Sequence, residues 1–548
     1  MDYTYSRYRL GEREGKIERF WEIVPAALSW GILIGMAGLS FFRPFAAATL
    51  IIAFLIYWLM RLIYMNIFLV LSYLRLAIEK ELDWMERISG IDNLGAYPGK
   101  LCAIRQKRGL KHKIAAFLHC RQLEDLTKTN RPPPPSADIY HLVIIPVIKE
   151  RREVIQPGIR GIQEGDYPAK RILVVIALEE RAPDDVKEDV SLLAKEYQGG
   201  FLDLLVIVHP DNLPGEARVK GANVTYAAKQ AAEYFDKINL PYENILVSCF
   251  DADSVPTRNY FSCLAYHFMI TADRLRASYQ PVPVYYNNFW EVPGFARVMD
   301  IGTSFFQLIE TTNPQKLVTF SSHSMSFKAL VEVGYWPVDM ISDDSAIFWK
   351  AFIHYDGNYQ VVPMYTTVSM DIVVGHNLRE TFMNIYRQKR RWAWGVENLP
   401  IVIRAFFKPS KTSLYKKLSY GYKLFDVFIS WATWSFFLVF IIWLPTLFAA
   451  REFVSSTAYY TVPRIRVTIF GLASVGMLIC MILSFLLLPK TKKKRSLFEL
   501  ITHGLEWLSI PAAVLVLSAL PAIDAQTRLM LGKYMDFWVT EKYRGENK

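Results

Sequence analysis

Long apolar stretches frame the chain, and the region between them follows a different pattern. Ile23 to Phe42 carries no charge, and at about 1.5 Å per residue such a run crosses a hydrocarbon core of roughly 30 Å, which predicts a spanning helix. After Arg43-Pro44 a second run reaches Met60 and continues past Arg61 to Leu74, so this helix either starts late or lets Arg61 snorkel. Val427 to Ala450 and Val467 to Pro489 predict two more spans. Trp507 to Ile523 is shorter and interrupted by Pro511 and Pro521, and a span there would export the basic tail Arg528 to Lys548. It stays open between a fifth span and a re-entrant or interfacial segment. The charged Met1 to Glu22 precedes a run longer than a signal h-region, which predicts an uncleaved anchor.

Between the apolar runs the period shortens. Arg131-Pro132-Pro133-Pro134-Pro135-Ser136 is a stiff break, and strand-like runs follow at Tyr140 to Pro146, Ile172 to Leu178, Leu202 to His209 and Ile245 to Phe250. Helical patterns at Pro183 to Tyr197 and Ala217 to Phe235 separate them. This alternation predicts an α/β domain with a mostly parallel sheet, whose ligands bind beyond the carboxyl ends of the strands. Ile401 to Lys417 is amphipathic and basic, and reads equally as an interfacial helix or an ordinary surface helix. The chain therefore divides into 1–75 with two spanning helices, a basic linker 76–136, the α/β domain 137–400, and 401–548 with the interfacial helix and two to three further spans.

Composition sharpens this division. Of 548 residues 52% are hydrophobic and 21% charged, which excludes a disordered chain, and the charge-rich centre excludes an all-membrane transporter. The formal net charge is +11, but the Lys/Arg clusters sit beside apolar spans, as on cytoplasmic membrane flanks, and not on one compact domain. Lys16, Arg19, the region Lys100 to Arg121 and the cluster Lys490 to Arg495 place the central domain in the cytoplasm of a plasma-membrane protein. No basic domain or stacking motif supports nucleic-acid binding. Cys102, Cys120, Cys249, Cys263 and Cys480 show no CxxC spacing, so neither a zinc site nor a disulfide framework is expected.

Three motifs carry candidate chemistry. Asp251-Ala252-Asp253 directly follows a predicted strand, and two carboxylates so placed suit a divalent cation that also binds a diphosphate, although a solvated turn is an equal alternative. Asp343 and Asp344 open a helical pattern from Ala346 to Phe352, where helix capping is the simpler account of each taken alone. Gln388-Lys389-Arg390-Arg391-Trp392 sets cations beside an indole, either as a membrane flank or as a grip on a pyrophosphate.

In this order, between membrane spans, the three motifs resemble the membrane-integrated, inverting family 2 glycosyltransferases, the group of cellulose, hyaluronan and chitin synthases and of ceramide glucosyltransferase. The resemblance covers about Tyr140 to Pro400. Its signature of DxD, a later acid and QxxRW is present as Asp251/Asp253, Asp344 and Gln388, Arg391, Trp392. Pro146 and Glu150 match the nucleotide-contacting turn after the first strand, and Lys220, in Arg218-Val219-Lys220-Gly221, matches the lysine near base and phosphates. Two segments depart from the pattern. The usual Asp-Asp after the second strand is Glu179-Glu180, and Ser321-Ser322-His323-Ser324 stands where relatives have a Gly-rich stretch.

The resemblance implies a GT-A-like nucleotide-diphospho-sugar transferase domain flanked by transmembrane helices. It also implies a Mg²⁺ or Mn²⁺ ion on Asp251 and Asp253, with Asp344 as the catalytic base. Pro146, Glu150, Glu179, Lys220, Asp251, Gln388, Arg390 and Arg391 would then contact the donor, with a UDP-sugar favoured, and Trp392 and Asp343 the acceptor. Asp343 is also expected to raise the pKa of one acid of its pair by like-charge repulsion. The expected acceptor is a growing polysaccharide, with processive addition left open. A lipid acceptor and, more distantly, a transporter or scaffold with an inactive nucleotide-binding domain are the competing readings.

Overall fold

The computed structural model describes residues 5–6, 10–93, 110–128, 132–448, 454–455, 457–488 and 496–538. The basic cluster Lys490 to Arg495, Cys102, and the linker cations Lys100, Arg105, Lys107, Arg108 and Arg131 lie outside these residues.

A single sheet organises the centre of the chain, in the order β3-β2-β1-β4-β7-β6-β8-β5. Its first half is wholly parallel: β1 (Tyr140–Val147), β2 (Ile172–Glu179), β3 (Asp203–His209) and β4 (Ile245–Cys249). These are the strands that the apolar runs predict, with ends shifted by a residue or so. The second half is mixed. β7 (Ser324–Ser326) runs antiparallel to both β4 and β6 (Ala277–Tyr285), β6 pairs in parallel with β8 (Gln360–Met370), and β8 pairs antiparallel with the short β5 (Val255–Pro256).

Because successive strand side chains point to opposite faces, neighbours along β1 and β2 enter different cores. Leu142, Ile144, Leu173 and Val175 pack on the helix Lys220–Lys237, whose Ala227, Ala228 and Ala231 let it approach the sheet closely. Val143, Ile145, Val174 and Ile176 face the helices Arg152–Gln163, Asp184–Glu196 and Tyr260–Ile270. A third core joins Val282, Val284 and Tyr285 at the end of β6 to the helix Gly294–Glu310 and to Leu69, Leu483 and Leu517 of the long apolar helices.

Among the described residues, four helices are long and apolar enough to cross a membrane: Glu12–Phe42, Pro44–Glu79, Tyr459–Leu487 and Phe498–Met530. The pair Leu414–Val439 and Ile441–Leu447, bent by 41°, makes a fifth if counted as one span. Arg61 lies inside the second helix and pairs with Asp426 at 2.6 Å, a partner in place of snorkelling. The run left open at Trp507 to Ile523 lies within one helical stretch, with a π-turn at Leu515–Ala519. The expected interfacial helix differs in its first part: Asn398–Phe406 is a separate helix with Ile401, Val402 and Arg404 buried. Arg404 is accommodated there because Glu14 and Glu18 of the first long helix each approach it to 2.8 Å.

Candidate active site

The carboxyl ends of the parallel strands converge on one lysine. The register pairs Pro146 of β1 with Ala177 and Glu179 of β2 with His209, so these residues share one edge of the sheet with Asp251, which lies just past β4. Lys220 opens the helix Lys220–Lys237 at the same edge. Its Nζ lies 2.8 Å from Asp251 Oδ1, 3.1 Å from Asp344 Oδ1 and 3.8 Å from Asp343 Oδ2. Burial disfavours the ammonium, but the field of Asp251, Asp344 and Asp343 outweighs it and holds the Lys220 pKa well above its ordinary range. Gly221 permits this seating, since a Cβ there would lie 2.2 Å from the Pro337 carbonyl oxygen.

The two acids of Asp251-Ala252-Asp253 occupy different surroundings. The Asp251 side chain is 30% exposed, and its Oδ2 accepts from Ser321 Oγ at 2.5 Å. Asp253 is buried and accepts the Asp371 backbone N–H at 2.8 Å, which ties it to the end of β8. The adjacent acids also separate: Asp343 is 3% exposed, whereas the Asp344 side chain keeps 25% of its surface. Burial, reinforced by the Asp344 charge, raises the Asp343 pKa, so desolvation leads and like-charge repulsion adds to it. Asp343 therefore packs against the helix that bears Gly221, while its neighbour Asp344 stays partly exposed.

The helix Leu378–Ala393 brings the cationic motif. Arg391 lies partly buried within the field of Asp251, Asp343, Asp344 and Asp253; desolvation lowers its pKa and those acids oppose the shift. It donates to the Trp538 carbonyl at 3.3 Å. Arg390, expected with it, turns to another face and pairs with Asp524 of the last helix at 2.9 Å, as side chains on successive helical positions diverge by about 100°. Gln388 is buried. The Trp392 ring holds the Lys389 ammonium 3.8 Å from its centroid, and Lys389 also forms a buried pair with Asp300 at 2.6 Å.

At the outer end of β2 and β3, Glu179, Glu180, His209, Asp211 and Arg218 line a cavity. Glu179 bonds Arg181, and Glu180 accepts the Asp211 N–H at 2.9 Å. Glu150 curls back to accept the Ile148 and Lys149 N–H groups at 2.9 and 3.0 Å. His323 is fully buried, with Nδ1 3.0 Å from the Phe320 carbonyl oxygen and 3.7 Å from Asp344 Oδ1; burial lowers its pKa.

Sequence reasoning missed Glu397, and it gave Ser321 no role beyond its place in the departing segment. Gln280 accepts the Phe320 N–H at 2.7 Å and so holds the segment that brings Ser321 to Asp251. Glu397 stands five residues past Trp392, and no spacing rule marks it.

The chain resembles proteins named poly-beta-1,6-N-acetyl-D-glucosamine synthase. That of Staphylococcus aureus (strain COL) is 34% identical over 87 residues, 16% of this chain and 19% of that protein, so the chain matches about a fifth of the length of this relative. That of Staphylococcus epidermidis is 24% identical over 392 residues, 67% of this chain and 80% of that protein. Among solved structures, a mannosyltransferase from Pyrobaculum calidifontis in complex with GDP-Man and Mn²⁺ aligns with a TM-score of 0.40 and 16% identity, covering 76% of this chain and 95% of that one. S. aureus TarS 1-349 in complex with UDP aligns with a TM-score of 0.33 and 11% identity, covering 61% of this chain and 89% of that one. Residues 246–522, half of the chain, match the family described as Glycosyl transferase family group 2, and they run from β4 through the acids and the cationic helix into the last long helix. The chain belongs to the glycosyl transferase family group 2, and its mixed sheet is of the GT-A-like kind.

Proposed function

We propose that this protein is a polysaccharide-forming glycosyltransferase of a cell membrane, which moves a sugar from a nucleotide-diphosphate sugar to a growing chain with inversion. The observation that carries the reading is the convergence of Lys220, Asp251, Asp344 and Arg391 at one sheet edge, in a chain that also holds helices long enough to span a membrane. The likeness to proteins named as N-acetylglucosamine polymer synthases supports a polymer product and makes UDP-N-acetylglucosamine the first donor to try.

Single displacement needs a base on one face of the anomeric carbon and a stabilised leaving group on the other. Asp344, the exposed member of its pair, would take the acceptor hydroxyl proton. Arg391, already within the acidic cluster, would offset charge growing on the departing diphosphate. Lys220 holds Asp251 and Asp344 in fixed relation and would exchange part of that contact for donor phosphate oxygens.

The donor set fits a divalent cation. Mg²⁺ or Mn²⁺ sites of this sort take one or two protein carboxylates and complete their shell with phosphate oxygens and water, and Asp251 and Asp253 supply two carboxylates at one strand end with Asp251 partly open. No group of three or more His, Cys, Asp or Glu ligands occurs among the described residues. Asp251 and Asp253 would hold the ion, which when bound would neutralise diphosphate charge. Trp392 would flank the acceptor. The catalytic domain would face the cytoplasm, where nucleotide sugars are made.

The test is turnover of purified protein in proteoliposomes with common nucleotide sugars, with Mg²⁺, Mn²⁺ or EDTA, and with products sized. The reading expects a ladder of polymer with one donor and its loss in EDTA. A single added sugar on lipid would replace it with the lipid-acceptor reading, and no transfer from any donor would overturn it. Full turnover in EDTA would remove the metal alone.

A further inference from the structure

Asp344 lies at the start of the helix Asp343–His354, so its position depends on the turn that leads into that helix. Ser342 is the residue before the helix, and its own side chain makes no capping bond to it. That hydroxyl points the other way, to Glu397. Glu397 is 1% exposed, and its Oε1 accepts from Ile341 N at 3.1 Å, Ser342 N at 2.9 Å and Ser342 Oγ at 2.7 Å. Its Oε2 accepts the Trp394 indole N–H at 2.9 Å. Asn398 adds Nδ2 bonds to Ser342 Oγ at 2.9 Å and Ser345 Oγ at 3.2 Å, and its Oδ1 accepts from the Tyr5 hydroxyl at 2.6 Å.

Two features set this carboxylate apart from an ordinary helix contact. A buried carboxylate is retained at a free-energy cost unless donors surround it, and here the donors are the backbone immediately before the two acids. It also sits on the short turn Trp394–Glu397, which continues directly from the helix that bears Arg391. One side chain thus joins the segment carrying the base to the segment carrying the cation.

We infer that Glu397 is a positioning residue that fixes the Asp344 carboxylate relative to Arg391, with Asn398 and Tyr5 as its outer support. This rests on the proposed roles of Asp344 and Arg391. A carboxylate is needed because all its neighbours are donors: in a glutamine one end would be an NH₂ group, which meets either the Trp394 N–H or the Ile341 and Ser342 N–H groups with a donor against a donor. The turn would then shift, and misplacement of a base by even an ångström lowers the rate strongly.

The experiment compares Glu397→Gln and Ser342→Ala with the parent full-length protein in turnover with the nucleotide sugar, and in hydrogen exchange of the peptide spanning residues 339–345. Glu397→Gln should lower kcat at least tenfold with the donor KM within twofold, and raise exchange at Ile341 and Ser342. Ser342→Ala, which removes one donor and keeps the backbone, should lower kcat about threefold. Equal losses in kcat and donor affinity, or unchanged kcat in both variants, overturn the inference. If Glu397→Gln does not fold, Ser342→Ala decides the matter by the same two readouts. Should the parent transfer no sugar from any donor, the proposed function fails. Exchange then still judges the lock: unchanged protection in the variants overturns it and faster exchange upholds it.

Discussion

The two halves of the sheet are built by different rules. In the half β3-β2-β1-β4, β1, β2 and β3 are each followed by a helix before the next strand, and the candidate donor residues stand at or just after strand ends: Glu150 after β1, Glu179 at the end of β2, Asp251 after β4. In the half β7-β6-β8-β5, the transfer residues come from segments far apart in sequence. Asp253 is tied to the end of β8, Asp344 is held from beyond the cationic helix, and Arg391 meets a carbonyl near residue 538. Local assembly thus builds the donor half, and long-range contacts build the half where the bond would change hands.

The largest test of this contrast removes the base. Asp344→Asn should reduce turnover about 10²- to 10⁴-fold, the usual range for a general base, with donor affinity nearly unchanged in a binding titration. A parallel loss of donor binding would mean that the two halves are not separable in function. Next, Lys389→Met leaves Asp300 buried without its 2.6 Å partner, and breaking such a pair costs about 3–5 kcal/mol. It should lower Tm of the solubilised protein sharply, and an unchanged Tm would show that the mixed half does not depend on its distant contacts.

Gly221→Ala tests the local half. The added Cβ would press on the Pro337 carbonyl at 2.2 Å, so a loss of roughly 1–3 kcal/mol is expected from overpacking, seen as a lower Tm and weaker donor binding together. The smallest effect is at Asp343. Its folded pKa is raised by burial and by Asp344 above an ordinary value of 3.8. Ionisation therefore favours the unfolded chain from about pH 4 upward, and stability falls with rising pH until the folded pKa is reached. Asp343→Asn removes that penalty, so its Tm advantage over the parent should grow as the pH rises from about 4 to about 8. A Tm difference constant across that range would sink this account.

The same contrast explains what could be read from the sequence. Strands β1, β2 and β4 announced themselves as largely apolar runs because they are parallel and buried on both faces, and β3 shares the pattern although it is the edge strand with Val206 and Val208 exposed. Lys220, Asp251 and Asp344 were legible through the resemblance, although the residues alone could not say that one ammonium bridges Asp251, Asp343 and Asp344. β7 was not legible as a strand: Ser324-Met325-Ser326 is short and largely polar, and it is a strand only because β4 and β6 flank it. Arg390 and Arg391 look equivalent in sequence, and helix geometry sends one to Asp524 and the other toward the acids. The helix at residues 398–406 was misleading because its apolar face and its arginine suit a lipid interface as well as an interior that contains Glu14 and Glu18. Glu397 could not have been singled out, since its role lies wholly in what surrounds it.

The Tyr5 hydroxyl on Asn398, and the Trp538 carbonyl on Arg391, bear on the order in which the molecule comes into being. A chain made from its N-terminus folds its early units first, so the parallel strands can come together while the rest is still being made. Asn398 can receive the waiting Tyr5 only after the last strand has formed, and Arg391 lacks its carbonyl partner until residue 538 has emerged. A chain made only as far as β4 can bring its parallel strands together, but the candidate site still lacks Asp344 beside Lys220 and the carbonyl that receives Arg391.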